Sequence, residues 1–140
     1  MKKSLLYVIG FILFFGGMIW WSKSLQENNP DILSRNGFHW HPEVTIYVKE
    51  EKQEIPANIG IGAVHQPIHT HDDSNQGILH MEFQGLVRKE NATLGQFLKG
   101  WGKDINSFGT NVKMTVNGQE NTELENYVMQ DQDKIELRYE

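Results

Sequence analysis

Six histidines, His39, His41, His65, His69, His71 and His80, all fall between Phe38 and Phe83 of the 140-residue chain. None falls in the rest of it. Three ligand-type pairs stand two residues apart: His39 and His41, His69 and His71, His80 and Glu82. In an extended segment, positions i and i+2 share a side, so each pair presents two donors to one ion. Imidazole nitrogen binds Zn²⁺, Cu²⁺, Ni²⁺ or Fe²⁺, and a carboxylate completes such a shell. The pattern therefore predicts a metal site drawn from His39, His41, His69, His71, His80 and Glu82. Asp72 adjoins the second pair and suits the outer role of accepting the spare N–H of a bound imidazole. Asp73 reads as a loop residue. His65 has no partner at that spacing and reads either as a peripheral ligand or as an ordinary hydrogen-bonding histidine. Alternation turns Trp40 and Met81, the residues between paired ligands, toward the core.

The elements that position these residues are mostly strands. "EVTIYVKE" alternates, with Val44, Ile46 and Val48 on one face, the mark of a half-buried strand. "EEKQ" reads as a polar turn and "EIPANIGIG" as a second extended stretch, with Pro56 at a strand edge or end. "GILHMEFQGLV" reads as a third strand, with Ile78, His80 and Glu82 on one face and Leu79, Met81 and Phe83 on the other. The run "DDSNQG" before it suits a tight turn. In "NATLGQFLKGWGK", Thr93 followed by Gln96 predicts a capping box. Leu94, Phe97, Leu98 and Trp101 form one apolar helical stripe, and Gly102 suits a C-terminal cap. "NVKMTVNGQ" turns Val112, Met114 and Val116 inward, and Asn117-Gly118 predicts a two-residue hairpin. "DKIELRYE" ends the chain with Ile135, Leu137 and Tyr139 alternating. Strands with one helix predict an α+β fold with the helix on one sheet face.

Composition narrows the chemistry. The chain has no cysteine, which excludes a disulfide, a Cys-based zinc site and thiol catalysis within it. Its formal net charge is −5, and it is more negative once Lys2 and Lys3 are set aside. An acidic surface lacks the basic footprint that nucleic acid requires.

The N-terminus predicts location. Behind Lys2 and Lys3 runs "LLYVIGFILFFGGMIWW", Leu5 to Trp21, without a charge. These about 17 residues, rising about 1.5 Å each, span roughly 25 Å, near the lower limit for a membrane helix. The lysines suit the cytoplasmic side and Trp20 and Trp21 the far interface. A cleaved signal peptide is the rival reading, but bulky "MIWWSK" stands where small cleavage-site residues belong. The expected organisation is a transmembrane anchor at 1–21, a juxtamembrane linker at 22–37 and a His-rich domain at 38–140 outside the cytoplasmic membrane.

The motifs "HWH" (39–41), "IPANIGI" (55–61), "PIHTHD" (67–72), "LHMEF" (79–83) and "TLGQFLKGWG" (93–102) together resemble a group of uncharacterised, membrane-anchored exported bacterial and archaeal proteins. The resemblance covers most of Phe38 to Gly102 and implies that the histidines belong to a shared design. The C-terminal forty-odd residues resemble the β-grasp (ubiquitin-like) pattern of helix, strand ending in "NG", irregular segment, acidic turn and final strand. That resemblance implies a small mixed sheet packed by one helix and no function by itself.

Three functions compete. The first is a membrane-tethered metal-binding module that handles or senses copper or zinc; histidine without cysteine suits Cu²⁺ or Zn²⁺. The second is a small metalloenzyme with an open coordination position and Glu82 or Asp72 as base. Against it, the chain has no HExxH motif, and no glutamate follows "HTH" at the spacing used by cupins. The third is a pH-sensing interaction domain for an unidentified protein partner, switched by histidine protonation.

Overall fold

A computed structural model describes residues 2–27 and 29–140, with side chains for 4–25 and 29–140. The side chains of Lys2 and Lys3, expected at the cytoplasmic boundary, lie outside the described residues. The chain divides into two units, one ending at Asp31 and one running Ile32–Glu140.

The first unit is the helix α1, Lys2–Glu27. It extends past Trp21 because Ser22–Glu27 contains neither glycine nor proline to stop it. Ser4–Leu25, 22 residues of mean hydropathy 1.9, is long and apolar enough to cross a membrane. Apolar residues surround the helix without a polar stripe, unlike the one-sided pattern of a helix docked on a soluble core.

The second unit begins with β1 (Ile32–Ser34), β2 (Phe38–Trp40), β3 (Glu43–Val48) and β4 (Glu51–Gln53). It continues with β5 (Ile68–His69), β6 (His80–Phe83), β7 (Val87–Arg88) and the helix α2 (Leu94–Gly100). It closes with β8 (Val112–Val116), β9 (Gln119–Glu120) and β10 (Lys134–Tyr139). The fold is thus α+β with several sheets. A five-stranded sheet has the order β4-β3-β10-β8-β9, a three-stranded sheet the order β2-β6-β5, and β1 pairs with β7. In the larger sheet β3 and β10 run parallel, with Val44 beside Ile135 and Ile46 beside Leu137, and the other neighbours are antiparallel.

The alternating residues of β3, β8 and β10 and the stripe of α2 meet in one core. Val44, Ile46, Met114, Ile135, Leu137, Leu94, Phe97 and Leu98 are all buried. Each such side chain contributes about 1.5–3 kcal/mol by leaving water. Thr93 Oγ1 accepts the Gln96 N–H at the helix start. The reciprocal half of the expected capping box is replaced, because the Gln96 side chain donates to the Glu90 carbonyl instead. At the other end, Lys103 N–H reaches Leu98 O and Gly102 N–H reaches Lys99 O, a Schellman closure around Gly102 at φ +72°.

Several expected elements differ. "EEKQ" is not a turn: Lys49 and Glu50 make the turn, with φ +48° and +68°, and Glu51–Gln53 returns as β4. Two consecutive positive φ values match a type I′ turn, which is hard to foresee without Asn or Gly. "EIPANIGIG" is not a strand. Its Asn58 and Ile59 turn back on Thr70, through Asn58 N–H to Thr70 O and Thr70 N–H to Ile59 O. "GILHMEFQGLV" is two strands, β6 and β7, in different sheets, divided at Gly85 with φ +68°. Within 22–37, read as a linker, residues 22–27 are helical and Ile32–Ser34 form β1. Asn117-Gly118 makes its hairpin as expected, with φ +53° and +80°.

Gly77 joins the histidine loop to the core. It closes the 3-10 turn Asp72–Gln76 at φ +87°, and its carbonyl accepts the Val44 N–H at 2.7 Å. A Cβ there would press into the Val44 carbonyl oxygen. Gly77→Ala is expected to destabilise the domain by more than about 2 kcal/mol, from positive φ plus the clash. Denaturant unfolding measures this; a loss below about 0.5 kcal/mol, the range of neutral surface changes, would show that the loop relaxes at no cost.

Candidate metal centre

The three-stranded sheet sorts its side chains by alternation. Phe38, Trp40, Met81, Phe83 and Ile68 pack on or within the core, and Phe38 stacks on Trp40 at 3.8 Å between ring centroids. The residues between them point the other way. In register, His39 lies opposite Glu82 and His69 opposite His80. The three pairs seen in the sequence therefore meet on one face. Met81 is fully buried, as its place between His80 and Glu82 requires.

The six imidazoles form one connected cluster with His80 at its centre. The His80 ring lies 4.9 Å from His41, 4.7 Å from His71, 5.7 Å from His69 and 6.4 Å from His39. His39 and His41 are 4.6 Å apart, and His69 and His71 are 4.8 Å apart. His65 joins from its loop, 5.1 Å from His69 and 6.4 Å from His71.

His39, His41 and His80 form the tightest group: one nitrogen from each lies within 4.8 Å of the others. This triad can hold a metal ion. Nitrogens around a tetrahedral ion with bonds of about 2.0–2.1 Å sit about 3.3 Å apart. Small ring rotations close the difference, and His39 and His41 are exposed enough to make them. His69 and His71 stand beside this triad rather than within it.

Hydrogen bonds set the tautomers. An ionised carboxylate accepts only, so His80 Nε2 is protonated where it meets Asp73 at 3.0 Å, and His39 Nε2 where it meets Glu82 at 3.1 Å. Each then keeps its Nδ1 lone pair for a cation. His69 takes the opposite tautomer: Nδ1–H donates to the Gln66 carbonyl at 3.0 Å, leaving the Nε2 lone pair. His69 is buried. Burial lowers its pKa below the ordinary histidine value, against opposing pulls from the Gln66 carbonyl and the Glu82 charge. It therefore stays neutral, and able to ligate, to lower pH than a free imidazole.

The acidic pair behind "HTH" exchanges the roles expected from sequence. Asp73, read as a loop residue, makes the carboxylate–histidine contact. Asp72, expected to make it, is exposed. Outer carboxylates of this kind alter metal affinity about 10–100-fold. Asp73→Asn is expected to weaken binding in that range and Asp72→Asn to leave it within about 3-fold, by competition titration against a chromophoric chelator. Equal effects would remove Asp73 from the centre.

Three further residues brace the cluster. Thr70, wholly buried between His69 and His71, accepts the Ile59 N–H and donates to the Pro56 carbonyl, so "IPANIGI" locks the "HTH" backbone. Gln66 fixes the His69 ring, and Asp131 Oδ1 accepts the His41 N–H at 2.8 Å. The chain offers a signal for Thr70 only, as a small polar residue between two alternating ligands. Asp131 is 90 positions from His41, and nothing local connects them.

Beside the triad opens a cleft of about 500 Å³, lined by His65, Gln66, Pro67, His69, His71, Glu82, Phe83 and Gln84. Glu82 belongs to both regions, since it also contacts His39. No described protein family matches the chain, and no curated protein or solved structure matches it significantly.

Proposed function

We propose that this chain is a membrane-tethered transition-metal-binding protein that handles or senses copper or zinc outside the cytoplasmic membrane. The observation that carries the reading is the triad of His39, His41 and His80, with its lone pairs set by neighbouring carboxylates. Nitrogen donors without thiolate favour Cu²⁺ and Zn²⁺ over Cu⁺. The apolar helix α1 supports a single-pass anchor, and the motif resemblance supports an exported domain. The strand order β4-β3-β10-β8-β9, with parallel first and last strands at its centre, supports a β-grasp scaffold.

The decisive measurement is metal content and affinity of the untagged full chain in detergent. Cu²⁺ or Zn²⁺ is expected to bind tighter than about 1 μM, with His39→Ala and His41→Ala each weakening it. Absence of binding at that level ends the reading. Release of the chain from membranes by alkaline carbonate, without detergent, would end the anchor part of it.

The cleft favours a second reading, a small metalloenzyme, because it gives a small molecule access beside the triad. A water exchanging on the bound ion, seen by relaxation of solvent protons in the Cu²⁺ form, is the observation that would favour chemistry over storage.

A further inference from the structure

The residues of the cleft repeat the arrangement of the triad. The rings of His65, His69 and His71 make a triangle of 5.1, 4.8 and 6.4 Å. Those of His39, His41 and His80 make one of 4.6, 4.9 and 6.4 Å. Each triangle holds a pair spaced two residues apart plus a third histidine from elsewhere in the chain. A hydrogen bond from the other nitrogen already fixes the tautomer of His39 and His80 in the triad and of His69 in the cleft group.

We propose that the cluster binds two cations, the second held by His65, His69 and His71, with the Glu82 carboxylate as an outer partner beside both positions. This rests on the cluster being a metal centre.

Three observations support it. His69 is buried, yet its Nε2 lone pair is left for a ligand once Nδ1–H is given to Gln66. His65 and His71 are exposed, so rotation about their side-chain bonds converges their nitrogens without disturbing the core. Glu82 is exposed on β6, bonds His39 of the first group and lines the cleft of the second. Six imidazoles also exceed the four donors that a tetrahedral ion takes. Two adjacent cations repel, and a negative charge near both offsets that repulsion, which is why an acid that bonds one histidine group and lines the cleft of the other is informative.

The test is Cu²⁺ stoichiometry of the full chain in detergent, by elemental analysis after dialysis, together with electron paramagnetic resonance. Two Cu²⁺ per chain are expected, with dipolar broadening from their proximity. His65→Gln with His71→Gln should lower the count to one and remove the broadening; His39→Gln with His41→Gln should do the same from the other side. All four residues are exposed, so the substitutions open no cavity, and circular dichroism verifies the fold. One Cu²⁺ in the unaltered chain would overturn the second site while leaving the proposed function standing. No Cu²⁺ and no Zn²⁺ would overturn both. Two Cu²⁺ that persist in the His65→Gln, His71→Gln chain would overturn the assignment.

Discussion

His80→Ala is expected to weaken binding of the cation held with His39 and His41 by more than about 100-fold, beyond the 10–100-fold loss that follows removal of an outer partner. Position explains the size. His80 is the only imidazole in ring contact with both the His39/His41 pair and the His69/His71 pair. Loss of His39 or His41 leaves the other two members of the triad in place. Loss of His80 removes a ligand, leaves Asp73 without its imidazole, and separates the two halves of the cluster. His80 is partly exposed, and its neighbours Leu79 and Met81 carry the packing, so the fold should persist. Competition titration with Zn²⁺ measures the loss, and thermal unfolding of the metal-free chain shows whether the domain is intact. An affinity within about 3-fold of the original, in a folded chain, would place the ion elsewhere.

Much of this centre was legible because its information is local. Pairing of His39 with His41, and of His80 with Glu82, follows from alternation alone, and so does the burial of Met81. The register was not legible. Bringing His39 beside Glu82 and His69 beside His80 depends on which strands pair, and those strands are two to four residues long, too short to carry a pattern. The exchange of Asp72 and Asp73 has a similar cause. Adjacency to "HTH" favoured Asp72 on an extended backbone. Residues 72–76 instead wind into a 3-10 turn, with about three residues per turn, which carries the second acid toward His80.

The same contrast holds for the scaffold. The alternating strands β3, β8 and β10, the helix stripe and the Asn117-Gly118 hairpin were readable because each repeats a period or uses specific turn residues. The β3–β4 turn was not, because Lys49 and Glu50 adopt positive φ without the residues that usually announce it. The fate of "IPANIGI" was not readable either. Its Ile55 and Ile59 are buried, as a strand's would be, but its backbone pairs with Thr70 through a turn. Burial periodicity alone does not separate those two outcomes.

Asp133→Ala is expected to cost at least about 3 kcal/mol. Asp133 is buried, and its carboxylate accepts three hydrogen bonds: Tyr127 Oη at 2.7 Å, Gln130 N–H at 2.8 Å and Asn117 Nδ2 at 2.9 Å. Bonds to a charged acceptor contribute about 1.5–3 kcal/mol each, and donors left buried without partners add a penalty. The effect should spread, since the Asp133 carbonyl accepts the Glu43 N–H at the start of β3 and the Tyr127 carbonyl accepts the Leu94 N–H at the start of α2. At about 4–8 °C per kcal/mol for a domain near this size, the melting temperature should fall by roughly 12 °C or more. Asp133→Asn should cost less. It retains one oxygen for Tyr127 and Gln130 but turns an amide toward Asn117, whose own oxygen already accepts the Lys134 N–H. The pH profile separates this network from simple packing. Burial, then the Asp133 bond and charge, push the Tyr127 pKa well above its ordinary value, and burial pushes Tyr139 up to about 12. A folded-state pKa raised above the unfolded value of about 10 leaves the stabilisation intact below that pH and removes it as pH rises further. Stability should therefore fall with pH above about 10, and Tyr127→Phe should make that fall shallower. An unchanged alkaline slope in Tyr127→Phe, or a loss below about 1 kcal/mol in Asp133→Ala, would show that packing alone holds this corner.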